Sequence, residues 1–447
     1  MIQNHGIGGK IMQLEEVRTR IRKTVEQYAD EIIGAGEYIW KNPEPGYREW
    51  KTSEFLITKF RELGFQVKTG LAMTGFRADL DTGRPGPTIA VLGEIDSLIL
   101  PNHPQCDPAT GAVHACGHHT CAAAMLGTAI ALVKSGVLDS LSGKIAFIAC
   151  PAEEGIEMDY RKELIKAGKI KSISGKSQLI REGVFDDIDI AFLQHISSHF
   201  GYNNHNGAIN KQITFRGKSC HAAGPQHGKN ALNAMTLALN AIAMLRESYS
   251  NESFVRIHGI VTRGGDAVNI IPDTISMDYM LRAMEVEKLL RLNQRFDNAV
   301  MYAAKAAECE AEITTLNGYM PLKNDRDLGE LLKQSFHWIS PETEFRDTGP
   351  DSAGSTDAGD IGLVVPMIHG NVSGMGGTLH GIDFSIADPE NAYIRQTMLN
   401  AVFAVDLLYG SAELGKAVAE KKKDLMPTAE YIKMIDGINQ TVSSEDL

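Results

Sequence analysis

Lys144-Ile145-Ala146-Phe147-Ile148-Ala149-Cys150-Pro151-Ala152-Glu153-Glu154-Gly155 is a short apolar run that stops on a proline and two adjacent carboxylates. The run reads as a strand with its acids at the carboxyl end. Ahead of it lies a helix of small residues from about Cys121 to Lys134. Before that helix, a strand from Thr88 to Leu92 runs into Gly93-Glu94-Ile95-Asp96, again with acids at its end. Strand, helix, strand at this spacing predicts an α/β domain: a mixed, largely parallel sheet with helices on both faces and ligand sites off the carboxyl ends of the strands. Further upstream, Val17, Ile21, Val25, Tyr28, Ile32 and Ile33 recur at helical spacing, which predicts an amphipathic helix over Leu14 to Tyr38. A second helix is expected from Lys51 to Leu63, ending at Gly64, with short strands at Gln66 to Thr69 and Gly75 to Asp79.

Beyond His195 the texture changes. Strands are expected at Lys211 to Arg216, Val255 to Thr262, Ile275 to Arg282 and Glu310 to Leu316, and helices at Asn230 to Ser248 and Glu285 to Cys309. Strand, helix, two strands, helix, strand is the split βαβ order of a ferredoxin-like α+β sandwich. The expected organisation is therefore a first domain of residues 1–207 and 318–447, with residues 208–317 inserted as a second. A helix at Asp327 to Phe336, a buried strand at Leu363 to Ile368 and a long helix at Pro389 to Tyr409, capped by Asp388, would complete the first sheet. The stretch from Glu420 onward, with Lys421-Lys422-Lys423, is expected to be a surface helix and tail whose basic triplet is solvated.

Composition narrows the function. The chain has 447 residues, 43% of them hydrophobic, and a net charge of −12, which opposes unassisted binding to nucleic acid or anionic membrane. The longest nearly apolar run, Cys121 to Val133, is roughly seven residues short of a bilayer span. The first 25 residues contain acids and lack the apolar stretch of a secretory signal, so a cytoplasmic setting is expected. Six cysteines in a chain of this length are too sparse for a disulfide scaffold, and a thiol near histidines is a candidate metal ligand.

Such a thiol is present. His114-Ala115-Cys116-Gly117-His118-His119-Thr120-Cys121 packs three histidines and two cysteines into eight positions. Imidazole and thiolate suit zinc and related ions, with carboxylates completing sites that keep a position open. Helix-capping and core roles are the plainer reading of this cluster taken alone, and Cys116 as a nucleophile beside a histidine is a third. Glu153-Glu154 is the second anchor. Adjacent side chains on extended backbone point apart, so one carboxylate can bind metal while the other moves protons. His195, after the apolar run Ile188 to Leu193, and His380, in Gly376-Gly377-Thr378-Leu379-His380-Gly381-Ile382-Asp383-Phe384, would each pass as an ordinary core or loop histidine if met alone.

Taken in order, these segments resemble the co-catalytic metal amidohydrolases and peptidases, the family of aminoacylases, hippurate hydrolase and auxin-conjugate hydrolases. The resemblance also rests on Gly217-Lys218-Ser219-Cys220-His221-Ala222-Ala223 and Asn269-Ile270-Ile271-Pro272-Asp273, and covers nearly the whole chain. Gly354-Ser355-Thr356-Asp357 and Val364-Val365-Pro366-Met367-Ile368-His369 look closest to the branch of aminobenzoyl-glutamate hydrolase and β-alanyl-lysine dipeptidase-like proteins. The resemblance implies that Cys116, His118, Glu154, His195 and His380 hold one or two divalent metal ions, zinc first, with manganese, cobalt and nickel able to share the ligands. It implies Glu153 as general base for a metal-activated water. His221, from a homodimer partner, would polarise the scissile carbonyl, with Asn269 and Arg282 on the substrate's carboxylate. The insert would be a lid and dimerisation domain. The implied substrate is an N-acyl amino acid or small dipeptide-like amide. A non-catalytic, metal-stabilised binding protein on the same fold is the competing function, and the retained Glu153 argues against it. The chain departs from the family's Cys-Gly-His-Asp-x-His: His119 stands for the aspartate and Cys121 for the second histidine. The stretch Gly155 to Glu182 is longer and more basic than the pattern requires, and reads either as a loop at the site mouth or as a surface excursion.

Overall fold

Strands Thr88–Glu94 and Lys144–Cys150 lie side by side and parallel, in register from Thr88 against Lys144 to Glu94 against Cys150, so both acidic ends finish at one level. This computed structural model describes residues 12–250, 254–347 and 354–446. The helix between the two strands is His118–Lys134, starting three residues before the expected Cys121. From Cys121 on its side chains are mostly small and apolar all round, and nearly every residue of the helix is buried. That follows from its place between the sheet and helices Leu14–Gln27, Ala29–Trp40 and Gln396–Leu408.

Eight strands make the first sheet, in the order Val67–Leu71, Gly75–Asp81, Lys144–Cys150, Thr88–Glu94, Ile190–Ser197, Met367–Ser373, Phe200–Tyr202, Phe345–Arg346. The centre is parallel: Ile190–Ser197 joins Thr88–Glu94 on one side and Met367–Ser373 on the other. Antiparallel pairs lie towards the edges. The expected mixed, largely parallel sheet is what forms. Three elements differ from the sequence reading. The opening helix is two, broken at Tyr28, where φ is −101° and ψ 15°. The strand expected from Leu363 begins at Met367, because Ala358–Gly362 is a short helix and the residues after it turn. The helix expected from Pro389 opens as a π-turn, Glu390–Arg395, before Gln396–Leu408, with Asp388 Oδ1 accepting from Asn391 N at 3.1 Å as a cap.

The chain divides into two compact units, residues 1–203, 323–351 and 360–428 in one and 204–322, 352–359 and 429–447 in the other. In the second unit Arg256–Arg263, Thr274–Ala283, Gly207–Arg216 and Glu310–Tyr319 form an antiparallel sheet in that order. Helices Ala231–Leu245 and Val286–Ala306 bury Ala234, Met235, Ala238 and Leu289, Leu292, Phe296 at helical spacing. This is the ferredoxin-like order that the sequence suggests. The C-terminal segment differs from the expected organisation, which assigned it to the first domain. Strand Gln440–Ser443 pairs with Glu310–Tyr319 and adds a fifth strand to the second unit. The lysine triplet is not simply solvated either. Lys421 meets Asp325 and Asp327 at 2.7 and 2.6 Å, and Lys422 donates to the carbonyls of Asp186 and Ile188. Among the described residues no helix is long and apolar enough to cross a membrane.

Candidate metal centre

Cys116 and His118 sit where the chain enters the helix His118–Lys134, on either side of Gly117. Gly117 has φ 85°, and a Cβ there would fall 2.2 Å from Ile196 Cγ2, so only glycine fits beside the strand that carries His195. That close approach puts Cys116 Sγ 3.6 Å from His195 Nε2. His380 is brought in from far along the chain by its own backbone, whose N–H donates to Ala115 O at 2.9 Å. Its φ of 61° is unusual for a residue with a side chain and marks a constrained position. His380 Nε2 then stands 3.4 Å from Glu154 Oε1.

Several candidate ligand groups result among the described residues, and two of them share Cys116. Cys116, His118 and His195 offer ligand atoms all within 4.8 Å of one another, and so do Cys116, Glu154 and His380. The five residues implied as ligands are thus gathered, and the triads share the Cys116 sulfur. Glu153 is outside these two triads but groups with His118 and Glu154, its Oε2 3.9 Å from His118 Nε2. A resident metal would explain atoms that are otherwise hard to account for: buried His118 Nε2 and Glu154 Oε1 have no hydrogen-bond partner. The donor set of thiolate, imidazole and carboxylate is that of zinc and its neighbours.

Asp96, at the end of the strand carrying Glu94, organises both sides. Its Oδ1 lies 3.1 Å from His118 Nδ1, turning Nε2 to the centre, and its Oδ2 accepts from Glu154 N at 2.9 Å. Burial opposes charge on His118, yet the carboxylate of Glu94, then Cys116 and Asp96, hold its pKa well above the usual value. Burial, reinforced by Glu154, pushes the Cys116 thiol well up, so in the metal-free protein it keeps its proton and a dication would have to displace it.

The turn carrying the two glutamates is held on several sides. Ala152 has φ 52°; its N–H donates to Glu49 Oε1 at 2.8 Å and its carbonyl accepts from Gly175 N and Arg161 Nη1 at 3.2 and 3.3 Å. Arg161 also donates to the carbonyls of Glu154 and Ile173. Arg161 and Lys176 come from the long stretch Gly155 to Glu182, which is neither of the two things expected of it. It forms helices Met158–Lys166 and Gly175–Arg181, and Arg161 and Lys176 are buried. Glu49, Lys176 and Arg161 carry no sequence signal as site residues. Each is a lone charged residue until the fold buries it.

The departures at His119 and Cys121 have different outcomes. His119 is fully buried against the rings of Trp40, Tyr393 and His114, outside both triads, and burial followed by the neighbouring histidines pushes its pKa well down. It is a neutral packing ring. Cys121 stays near the centre, within 4.8 Å of ligand atoms of Glu94 and His195.

His221, Asn269 and Arg282 lie in the second unit. The chain at His221 bridges to Ile270, and Ala222 N donates to Asn269 O at 3.0 Å, so His221 and Asn269 are neighbours in exposed loops. The helix Ala231–Leu245 is capped by Asn230, not by His221. Arg282 is in strand Thr274–Ala283, half-buried, with Nη1 2.9 Å from Ser355 Oγ.

Residues 203–308 match the M20-type peptidase dimerisation domain. The chain is 28% identical over 346 residues to a p-aminobenzoyl-glutamate hydrolase polypeptide of Escherichia coli, covering 74% of this chain and 67% of that one. It is 29% identical over 379 residues to Xaa-Arg dipeptidase of Mus musculus, covering 80% of each. Over most of its length the chain is thus similar to peptidases and amidohydrolases. A solved dinuclear metal-binding peptidase of the M20 family from Bacillus subtilis shares the fold, with TM-score 0.63 and 19% identity over 88% of this chain and 99% of that one. The paired triads lie at the first sheet, and the dimerisation-type module lies in the second unit.

Proposed function

We propose that the chain is a metal-dependent amidohydrolase that cleaves the amide bond of an N-acyl amino acid or small dipeptide-like substrate bearing a free carboxylate. The observation that carries this reading is the pair of triads sharing Cys116, with Glu153 as a further carboxylate beside them, its Oε2 3.9 Å from His118 Nε2. A binding site needs no further carboxylate next to its ligands. Two divalent ions in the triads, zinc first among the candidates, would supply Lewis acidity and a nucleophile at neutral pH. Glu153 accepts the proton of the attacking water and returns it to the leaving amine, which departs neutral. His221 of the partner subunit donates to the developing oxyanion, and Asn269 and Arg282 hold the carboxylate. The working form is a homodimer, which the dimerisation-type module supports. The setting is the cytoplasm, where the six free cysteines would stay reduced.

The relatives named for an aminobenzoyl-glutamate and for Xaa-Arg dipeptides support both substrate classes. The test is to reconstitute purified protein with zinc, manganese or cobalt and offer a panel of N-acyl amino acids and dipeptides, detecting released amine. Release that stops on chelation and returns on metal addition is the expected result. No release from any member with any metal, despite two bound ions, would favour a binding protein.

A further inference from the structure

Glu94 is a buried carboxylate at the floor of the centre that the proposed reaction does not use. It ends strand Thr88–Glu94 and is 1% exposed. Its two oxygens differ. Oε1 takes the buried Lys176 ammonium at 2.6 Å. Oε2 has no hydrogen-bond partner and stands 3.4 Å from His118 Nε2 and 3.9 Å from His195 Nε2. The other nitrogen of each ring is already engaged, His118 Nδ1 with Asp96 and His195 Nδ1 with the Ile196 carbonyl at 2.8 Å. Two imidazole nitrogens and a carboxylate oxygen therefore converge with their remaining bonding capacity directed at each other.

We propose that Glu94 is a further metal ligand, joining Cys116, His118 and His195 around one ion, and that Lys176 positions it by occupying Oε1 so that Oε2 faces that ion. This rests on the two-metal reading above and adds an asymmetry to it. One ion would have four protein donors, including a thiolate and a carboxylate, with Glu94 and His118 about 1% exposed and His195 13% exposed. The other would have Cys116, Glu154 and His380, with the His380 side chain 51% exposed. Four enclosed donors describe a closed, retentive site, and three donors with an open side describe one that exchanges metal and admits substrate. The two ions should therefore leave in order, the His380 ion first.

The experiment uses the full chain, stripped with a chelator and titrated with cobalt(II) or zinc(II) against a chromophoric competitor, with bound metal counted by mass spectrometry. Wild type is expected to take two ions with dissociation constants at least about tenfold apart. Glu94→Gln should weaken the tighter ion by about 10- to 100-fold or more and shift the cobalt(II) d–d bands, while the Cys116 thiolate-to-cobalt band persists. His380→Ala should weaken the other ion alone. Because Glu94→Gln leaves the Lys176 ammonium buried and unpaired, Glu94→Gln with Lys176→Met removes both charges together and should show the same metal deficit with the metal-free protein still folded. An unchanged tight constant and unchanged d–d bands in both variants would overturn the proposal, as would loss of the tighter ion in Cys121→Ala but not in Glu94→Gln. A wild type that binds no stoichiometric metal would instead remove the metal-hydrolase reading itself.

Discussion

At the scale of single residues, adjacent glutamates have been given different surroundings. Glu154 faces His380 and is tied through its N–H to Asp96, whereas Glu153 approaches His118 without joining either triad. Glu153→Gln keeps the shape and removes the proton acceptor. Turnover should fall by about 10²- to 10⁴-fold with metal content unchanged, and wild-type turnover in that variant would dismiss the role. Glu49 makes a second residue-scale prediction. Fully buried, it is pushed from an ordinary carboxyl value near 4.5 up to about 8, by burial first and then by the charge of Asp96. Its folded value lies above its unfolded one, so the folded protein holds the extra proton between them. The stability this contributes is fully present below about pH 4.5 and drains away as pH rises through 8. Glu49→Gln stays neutral throughout. Thermal melts from pH 5 to 8.5 should show a flatter decline than wild type, and identical slopes would mean that Glu49 does not titrate in this range.

At the scale of elements, the turn Pro151-Ala152-Glu153-Glu154 works as a unit that its neighbours lock. An alanine at φ 52° costs about 1 to 3 kcal/mol and persists only where surroundings over-determine it. Here Glu49 holds the Ala152 N–H, and Arg161 holds its carbonyl and the Glu154 carbonyl two residues on. Arg161→Met should therefore let the turn relax and lower kcat by up to about 10²-fold with little change in KM. Adding Ala152→Gly should restore part of the loss, since glycine adopts that backbone without strain. If the double variant recovers nothing and kcat follows the melting temperature, Arg161 is only a stabiliser of the fold. This lock also marks where sequence reading stops. The strand Lys144–Cys150 and the Cys116/His118 pair were legible because period and spacing are local properties. His195 and His380 stood out through the resemblance alone, since each is a solitary histidine on an unremarkable segment. Glu94 was visible as an acid at a strand end, but its partner Lys176 is 82 residues away and looks like any surface lysine until burial pairs it. The boundary at the C-terminus was misplaced for a similar reason. Gln440–Ser443 is a polar strand with no apolar alternation, and only its pairing partner shows which sheet it joins.

At the scale of the whole molecule, a net charge of −12 sets a problem for an enzyme proposed to take carboxylate substrates. The average field repels them, so recognition has to come from local cations placed where the substrate's acid group lands. Arg282 is suited to that task. Its guanidinium is half-buried on strand Thr274–Ala283, with Nη1 2.9 Å from Ser355 Oγ. Burial lowers its pKa, yet arginine keeps its charge at any physiological pH. A charge-assisted contact of this kind contributes about 1.5 to 3 kcal/mol, or about 10- to 150-fold in kcat/KM. The free-acid substrate should lose that factor in Arg282→Ala, with most of the change in KM. The corresponding amide should be a poor substrate for wild type and should be unaffected by the substitution. The comparison is made within each protein, as a ratio of free acid to amide, so a general loss of folded enzyme cancels. Should the ratio be near one in wild type and stay there in Arg282→Ala, the carboxylate clamp is absent, and selection must instead reside in contacts to the acyl side of the scissile bond.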